Sequence, residues 1–452
     1  MNTEHTDTFR LPPIAGRPIA EVEAMAAAHY LTLTSAPQSP ATARLVDDLT
    51  DKIQRTAGRR KSNELTAAVG ALVADLLRHP EDFHYRSLSS NAFTGASIGY
   101  RPCKSAIEGM KTLGFLDIFP GFIRRYSVSQ KAMATRMRLR PAFLEYAASF
   151  KISPSQWRDH FASCTGPLRN ENPVQLRAKT EKDWNRRVRG KLLPICPSDA
   201  IAVMLGERVN EINRLRRSFT LSAEDVEQGR IYADDEVHTL FFRGFNRGND
   251  DGNEYGWDRG GRLYPLGGAY QLFSKILRST ITFNGEPSVE IDLRASHFTI
   301  YHGLNGITLN LTDDPYSVEG FPRPVVKAWV TMTLGHHRFH TRWHKDAVKN
   351  TLKKAQIDLR AYSIKAVQAA VLEKHPLLKE WEACPLDWGG LQYEESNVIV
   401  DTVHALTVGQ GIPTLPVHDS IIVPISKVEI AKKVLTEMFE KHIGSTPALK
   451  IG

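Results

Sequence analysis

Cysteine is scarce: Cys103, Cys164, Cys196 and Cys384 are the four in 452 residues, and no two stand at zinc-ligand spacing. That argues against a disulfide scaffold or a cysteine-built zinc module and reads as reduced structural thiols in a cytosolic protein. No apolar run approaches the roughly 18 residues of a membrane span, and the N-terminus lacks a secretory pattern, so no membrane partner is expected. Internal repeats and low-complexity tracts are also missing, which sets aside a repeat architecture. What is present is ordinary for a globular chain: 42% hydrophobic and 24% charged residues, with length enough for two or three domains. Lys and Arg total 58 against 50 Asp and Glu, a formal charge of +8. A modest basic excess suits a nucleic-acid partner without requiring one.

The chain is organised around residues 288–298. Val289 and Ile291 alternate with Glu290, the pattern of a short half-buried strand. That strand delivers Asp292 to its end, and a helix is expected from Ala295 to Leu304. Residues 413–423 repeat the design, with apolar residues flanking an isolated His418-Asp419. Two such strands side by side hold two divalent ions, and ions about 3.5–4 Å apart clamp the attacking and leaving oxygens of a phosphoryl transfer. Either aspartate alone reads more readily as a strand-end residue capping a helix or turn than as a catalytic group.

Residues 1–40, rich in Pro, Thr and Ala around one helix at 19–31, read as a partly ordered arm. Residues 45–77 have helical spacing, with a charged interruption at 55–61. Another helix is expected at 102–113, with Ala106, Met110 and Leu113 on its apolar face and Lys104, Glu108 and Lys111 in water. Gly114 ends it. Residues 115–119, the Pro120-Gly121 turn and residues 123–128 suggest a two-stranded ribbon. This order is similar to a winged helix-turn-helix, which sets a helix in the major groove and a basic wing on the phosphates. The wing would carry Arg124, Arg125, Lys131, Arg136, Arg138 and Arg140. An α+β core with a solvated basic strand, or a protein-interaction module, fits the same order. Residues 153–222 read as helical and basic, with cations around Trp184 and a second cluster at Arg214–Arg217. They suit a template or product channel, or simply solvated helix faces.

From Val237 the motifs are denser. An acidic, glycine-rich loop at 249–253 precedes Gly260, Gly261 and Arg262. The glycines permit close backbone approach, and the arginine is a planar fork suited to phosphate. A β-branched strand at 277–283 and an Asn284-Gly285 hairpin turn lead into the Asp292 strand. This brings Arg262 near that strand. Asp314-Pro-Tyr316 marks a turn. Residues 323–335 form a helix with Pro324 in its first turn, and Arg323 and Lys327, four apart, project from one face. That face suits a triphosphate tail, or is merely solvated. His336, His337, His340 and His344 have no Glu between them in a metalloprotease arrangement, so a basic surface near nucleic acid is preferred to zinc. A helix at 392–406 turns Val398, Val403 and Leu406 inward, and one at 428–442 closes the chain.

Taken in order, these pieces resemble the palm and fingers of single-subunit polymerases, the phage-type RNA polymerases and family A DNA polymerases, over residues 237–450. Asp258-x-x-Gly261-Arg262-x-Tyr264 is similar to the element that contacts template and hybrid. Asp292 falls at the first catalytic aspartate. Arg323-x-x-x-Lys327 is similar to the nucleotide-binding fingers helix, which Met332-Thr-Leu-Gly335 continues. Val417-His-Asp-Ser420 resembles the motif of the second catalytic aspartate. Two departures stand out. Gly335 replaces a tyrosine eight residues after the lysine, and His297 replaces the glutamate that family A enzymes place five residues after the first aspartate.

The resemblance implies an α+β fold: a helical, winged-helix-like N-terminal region followed by an antiparallel polymerase palm with helical fingers. The domains implied are an arm at 1–40, a nucleic-acid-binding region at 41–150, a basic helical region at 151–236, and palm and fingers at 237–452. It implies a template-directed nucleotidyltransferase, with RNA or primer synthesis slightly favoured over DNA synthesis, serving replication, priming or transcription of a mobile element. Asp292 and Asp419 would ligate two Mg²⁺ ions, which Mn²⁺ can replace. Lys327 would act in catalysis, and Arg323, Lys327 and Gly335 in nucleotide binding. Arg262, Tyr264, Asp258, His418, Arg124 and Arg125 would contact nucleic acid. The partners implied are DNA template, nucleic-acid product and nucleoside triphosphates, around a cytoplasmic, nucleoid-associated monomer. The rival is an initiator or regulator that binds nucleic acid through a catalytically degenerate palm.

Overall fold

A computed structural model describes residues 18–452 except 58–61, 94–97, 126–129, 164–172, 180, 184–185, 189, 227–229, 233, 238–239, 248–254, 266–268, 310–312 and 337. The acidic loop at 249–253, Trp184 and His337 therefore lie outside the described residues, as do residues 1–17 of the N-terminal arm. The fold is mixed α+β with mostly antiparallel strand pairing. It divides into two compact units: residues 1–171 with 225–239 and 265–272, and residues 172–224 with 240–264 and 273–452. Among the described residues no helix is long and apolar enough to cross a membrane.

The first unit contains helices α1 (Ile19–Ala26), α2 (Pro40–Ala57), α3 (Asn63–Arg78) and α4 (Tyr100–Thr112). Its strands are β1 (His29–Tyr30), β2 (His84–Arg86), β3 (Leu116–Phe119), β4 (Phe122–Arg125), β5 (Gln130–Met133) and β6 (Thr135–Leu139). Ser62 caps α3 by accepting the Leu65 N–H at 3.2 Å. Residues 68–77 are all buried, as expected of a helix apolar on every face. Cys103, Ala106, Ile107 and Met110 form the inner stripe of α4, and Gly114 follows it with φ +76°.

The ribbon differs from expectation. Pro120-Gly121 does not join two paired strands: β3 pairs with β6 and β4 pairs with β5. The dipeptide is a bend in one arm of a longer hairpin. A Cβ on Gly121 would lie 2.5 Å from the Met133 carbonyl oxygen, so the arms come close enough there to require glycine. The cations expected on the wing are partly engaged. Arg136 donates to the Met25 carbonyl at 2.8 Å and covers the Tyr85 ring, Arg138 covers Phe83, and Arg140 pairs with Asp117 at 2.8 Å. The backbone of Arg124 and Arg125 lies in β4, while their side chains are outside the description.

In the second unit, β7 (Val174–Arg177) and β8 (Leu192–Leu193) stand where a basic helix was expected. The two-residue alternation of Val174 and Leu176, both buried, outweighs the helical charge pattern. Helix α5 (Ala200–Leu215) follows, then β9 (Leu221–Asp225), β10 (Phe241–Asn246), β11 (Gly260–Pro265), β12 (Thr282–Phe283) and β13 (Glu286–Leu293). One sheet runs β8-β7-β10-β11. The strand expected at 277–283 is shortened to β12, because residues 275–278 form a short helix that Ser274 caps by accepting the Leu277 N–H at 3.1 Å. The Asn284-Gly285 hairpin has positive φ at both residues (+51° and +85°), as a type I′ turn requires.

Next come α6 (Ser296–Leu304), α7 (Arg323–Leu334), α8 (Trp388–His404), β14 (Leu415–Val417), β15 (Ser420–Pro424), α9 (Val428–Ile443) and β16 (Leu449–Ile451). The second sheet runs β9-β12-β13-β15-β14, with β16 also pairing with β13. Helix α8 packs against α6 and α9, with Val398, Val403 and Leu406 buried as expected.

Candidate active site

Strands β13 and β15 are antiparallel, with Glu290 opposite Ile422 and Asp292 opposite Ser420. The Leu293 N–H donates to the Asp419 carbonyl at 3.2 Å. Val417 pairs with Ser420 around a two-residue turn in which His418 has φ +53°. Both aspartates thus reach the same end of the sheet. Buried Ile291 and Ile421 anchor the pair from below. Ser420 donates its hydroxyl to Glu290 at 2.7 Å, and Arg278 forks onto the same carboxylate.

Negative charge at this end is not locally balanced. Burial, then the Glu395 and Asp292 charges, push the Asp419 carboxyl up to about 6. Burial and Glu290 raise Asp292 against the pull of Lys275, Lys450 and Lys327. Two hard-oxygen carboxylates whose charge is disfavoured at one end of the sheet form a donor set suited to Mg²⁺ or Mn²⁺.

Beside them, Glu395 of α8 is an almost fully buried carboxylate that accepts the Arg262 Nε–H at 2.8 Å and the Ser296 hydroxyl at 2.8 Å. His297 Nε2 lies 3.1 Å away. Burial opposes its charge, but His297 and Arg262 together hold the carboxyl down to about 2. Gln392, with its amide oxygen toward Arg262, accepts from that guanidinium at 3.1 Å. The residues before Arg262 dock on the same helix. Gly260 and Gly261 have φ +85° and +82°, and a Cβ on Gly261 would lie 2.8 Å from Ser396 Oγ. The close approach permitted by these glycines is therefore to α8. Buried Arg243 donates to the Gly261 carbonyl at 2.6 Å and to Asn397, securing the turn.

A cavity of about 410 Å³ opens over this cluster. Asp292, Asp419, Glu395, Arg262 and Lys450 line it, as do Arg323, Lys327, Thr331 and Gly335 from α7. These α7 residues recur every four positions and are exposed, while Val326, Trp329 and Val330 are buried. Asp314 pairs with Arg323, whose guanidinium lies 5.2 Å from the Tyr316 ring centre. Lys327 Nζ lies 5.8 Å from the same ring.

Of the residues singled out from sequence, Asp292, Asp419, Arg262, Arg323, Lys327 and Gly335 line this one cavity. Asp258 is exposed before β11, and Tyr264 packs 5.6 Å from Phe242 against Gly244. His418 is exposed beside Asp419. These three are not among the lining residues, and Arg124 and Arg125 belong to the first unit. Sequence reasoning missed Glu395, Tyr316, Lys450 and Trp388, all of which line the cavity. Glu395 had a signal: it falls four residues after Leu391 and three before Val398, on the inward stripe of α8, where an ionised group needs partners.

Comparison with family models and with curated proteins finds no match. Among solved structures, the chain is similar to the POL domain of Pol1 from M. smegmatis, in complex with DNA primer-template and dNTP. Identity is 11% and the TM-score 0.31, over 95% of this chain and 67% of that one. A likeness at that level establishes neither a shared fold nor an activity.

Proposed function

We propose that the cavity of the second unit is the active centre of a template-directed nucleotidyltransferase, with β13, β14 and β15 as its palm and α7 as its fingers helix. The observation that carries this reading is the convergence on one cavity of two carboxylates with raised proton affinity and two cations one helical turn apart. Asp292 and Asp419 would hold two Mg²⁺ ions. Bound there, the ions supply Lewis-acid activation of the attacking hydroxyl and neutralise charge on the leaving pyrophosphate. Lys327 and Arg323 bind the triphosphate, and their donors gain strength as charge builds on the leaving group. Arg262, held in orientation by Glu395 and Gln392, presents its remaining donor edge to the backbone of template or product. The winged-helix reading of the first unit adds a phosphate contact through the β4–β5 hairpin.

The finer reading is a compact DNA-dependent polymerase, with RNA or primer synthesis slightly favoured, serving a mobile element. Gly335 at the place of the polymerases' tyrosine favours the rival of a nucleic-acid-binding initiator without catalysis. Both carboxylates with both cations around one cavity favour the enzyme. Primer-extension and de novo synthesis assays with rNTPs and dNTPs separately, in Mg²⁺ or Mn²⁺, test the reading. Templated incorporation of either nucleotide class supports it. Template binding with no incorporation under any of these conditions overturns it for the initiator.

A further inference from the structure

Three histidines and one aspartate meet in the first unit, on segments fixed by their backbone. His79 ends α3 and accepts the Asp82 N–H at 3.1 Å, closing a tight turn. Strand β2 then begins at His84, which lies opposite His29 across the parallel β1–β2 pair. The His29 N–H donates to the Phe83 carbonyl at 2.7 Å. Three chain segments therefore deliver these side chains to one place.

There, His29 Nε2 lies 3.0 Å from Asp82 Oδ2. The His29 and His79 rings stack with centroids 3.7 Å apart and planes within 8°. One donor atom from each of His29, His79 and Asp82 lies within 4.8 Å of the other two. His84 sits behind them, its ring centre 5.7 Å from that of His29 and 1% exposed. The His29 and His79 ring planes are nearly parallel in their stack, so binding one ion requires at least one ring to turn until both nitrogen lone pairs meet at it.

We infer that His29, His79 and Asp82 bind one zinc-class divalent cation that clips β1, the end of α3 and the turn before β2 together. Two borderline imidazole nitrogens beside one hard carboxylate oxygen suit zinc, cobalt or nickel and not magnesium. The fourth position of a tetrahedral ion is left to water on the exposed Asp82 side. His84 packs behind His29, its ring tilted 37° to that of His29. The site needs no residue of the second unit.

The test uses the full chain, stripped of metal and titrated with Co²⁺, with Zn²⁺ as competitor. The expected result is one Co²⁺ per chain with the visible absorption of a tetrahedral ion, displaced by Zn²⁺, and a rise in unfolding temperature on Zn²⁺ addition. Asp82→Asn, an exposed isosteric change, and His79→Gln should each weaken binding at least about tenfold and remove the thermal shift. His336→Ala, in a separate histidine-rich segment of the second unit, should change neither. Absence of stoichiometric binding overturns the inference and leaves His29 and Asp82 as a plain ion pair. So does binding that Asp82→Asn leaves unchanged, or binding lost in His336→Ala.

Discussion

The Leu293 N–H donates to the Asp419 carbonyl at 3.2 Å, tying the strand that carries Asp292 to the turn that carries Asp419 where both side chains enter the cavity. This backbone link lies below the carboxylates, so either can be altered without loosening the strands. Burial and the neighbouring charged side chains set the proton affinity of both aspartates.

Protons and divalent cations compete at Asp419. Its carboxyl is held at about 6 against an ordinary value near 3.9, so the folded state binds the proton more tightly than the unfolded state. That contribution to stability is fully present below about pH 4 and is lost as pH rises through 6. Without divalent cation, urea unfolding midpoints should show this loss in the wild type, and Asp419→Asn should remove it. Glu395 acts with the opposite sign: held at about 2, it stabilises the fold above about pH 4.3 and loses that contribution as pH falls toward 2. Mg²⁺ affinity should weaken below pH 6, where protons occupy Asp419. A wild-type midpoint that tracks Asp419→Asn across pH 4–7 would remove the basis for this assignment.

The two glycines at Gly261 and Gly285 share nearly the same φ but not the same surroundings. A Cβ at Gly261 meets Ser396 Oγ at 2.8 Å, whereas one at Gly285 meets nothing within 4 Å. Gly285→Ala should cost about 1–2 kcal/mol from its left-handed conformation alone. Gly261→Ala should cost more, because Ser396 or the turn must also move. Thermal unfolding of the two variants decides the matter, and equal losses would mean that the turn is not docked on α8.

Arg262 and Glu395 form a pair in which the carboxylate is 2% exposed. Arg262→Ala leaves that charge with only His297 and Ser296 and should destabilise the protein by about 3–5 kcal/mol. Adding Glu395→Gln should return most of the loss. A double-mutant cycle in urea measures the coupling, and additive losses would show that the two groups do not depend on each other.

Lys327→Ala should raise the apparent KM for nucleotide and lower the rate, together about ten- to a hundredfold, the size of a lost charge-assisted contact of about 1.5–3 kcal/mol. Arg323→Ala should have the smaller effect, since Asp314 already engages that guanidinium. Steady-state kinetics beside a template-binding titration separates the cases. A Lys327→Ala variant changed only in template affinity would take α7 out of nucleotide binding.

Local patterns made much of this fold legible. The Asn284-Gly285 turn, the alternation around Asp292 and the four-residue spacing of Arg323 and Lys327 are short-range signals that tertiary contacts did not override. Capping and close packing escaped. Ser274 capped a short helix that took the first residues of the expected strand, and Gly121 bent an arm of the hairpin instead of closing it. Glu395 and Lys450 enter the cavity from elements more than a hundred residues from Asp292, and only the packing of α8 and the pairing of β16 with β13 bring them there. Arg262 was read as a hand for nucleic acid, but its orientation depends on Glu395, marked only by its place on the inward stripe of α8.

The most direct measurement is templated incorporation of labelled nucleotide by the wild type, Asp292→Asn and Asp419→Asn in Mg²⁺, with template affinity and unfolding temperature recorded for each. An amide keeps the shape of the carboxylate and removes the charge that holds the ion. The account predicts incorporation by the wild type, none by either variant, and template affinity and folding nearly unchanged in both. Near wild-type incorporation by either variant would contradict it.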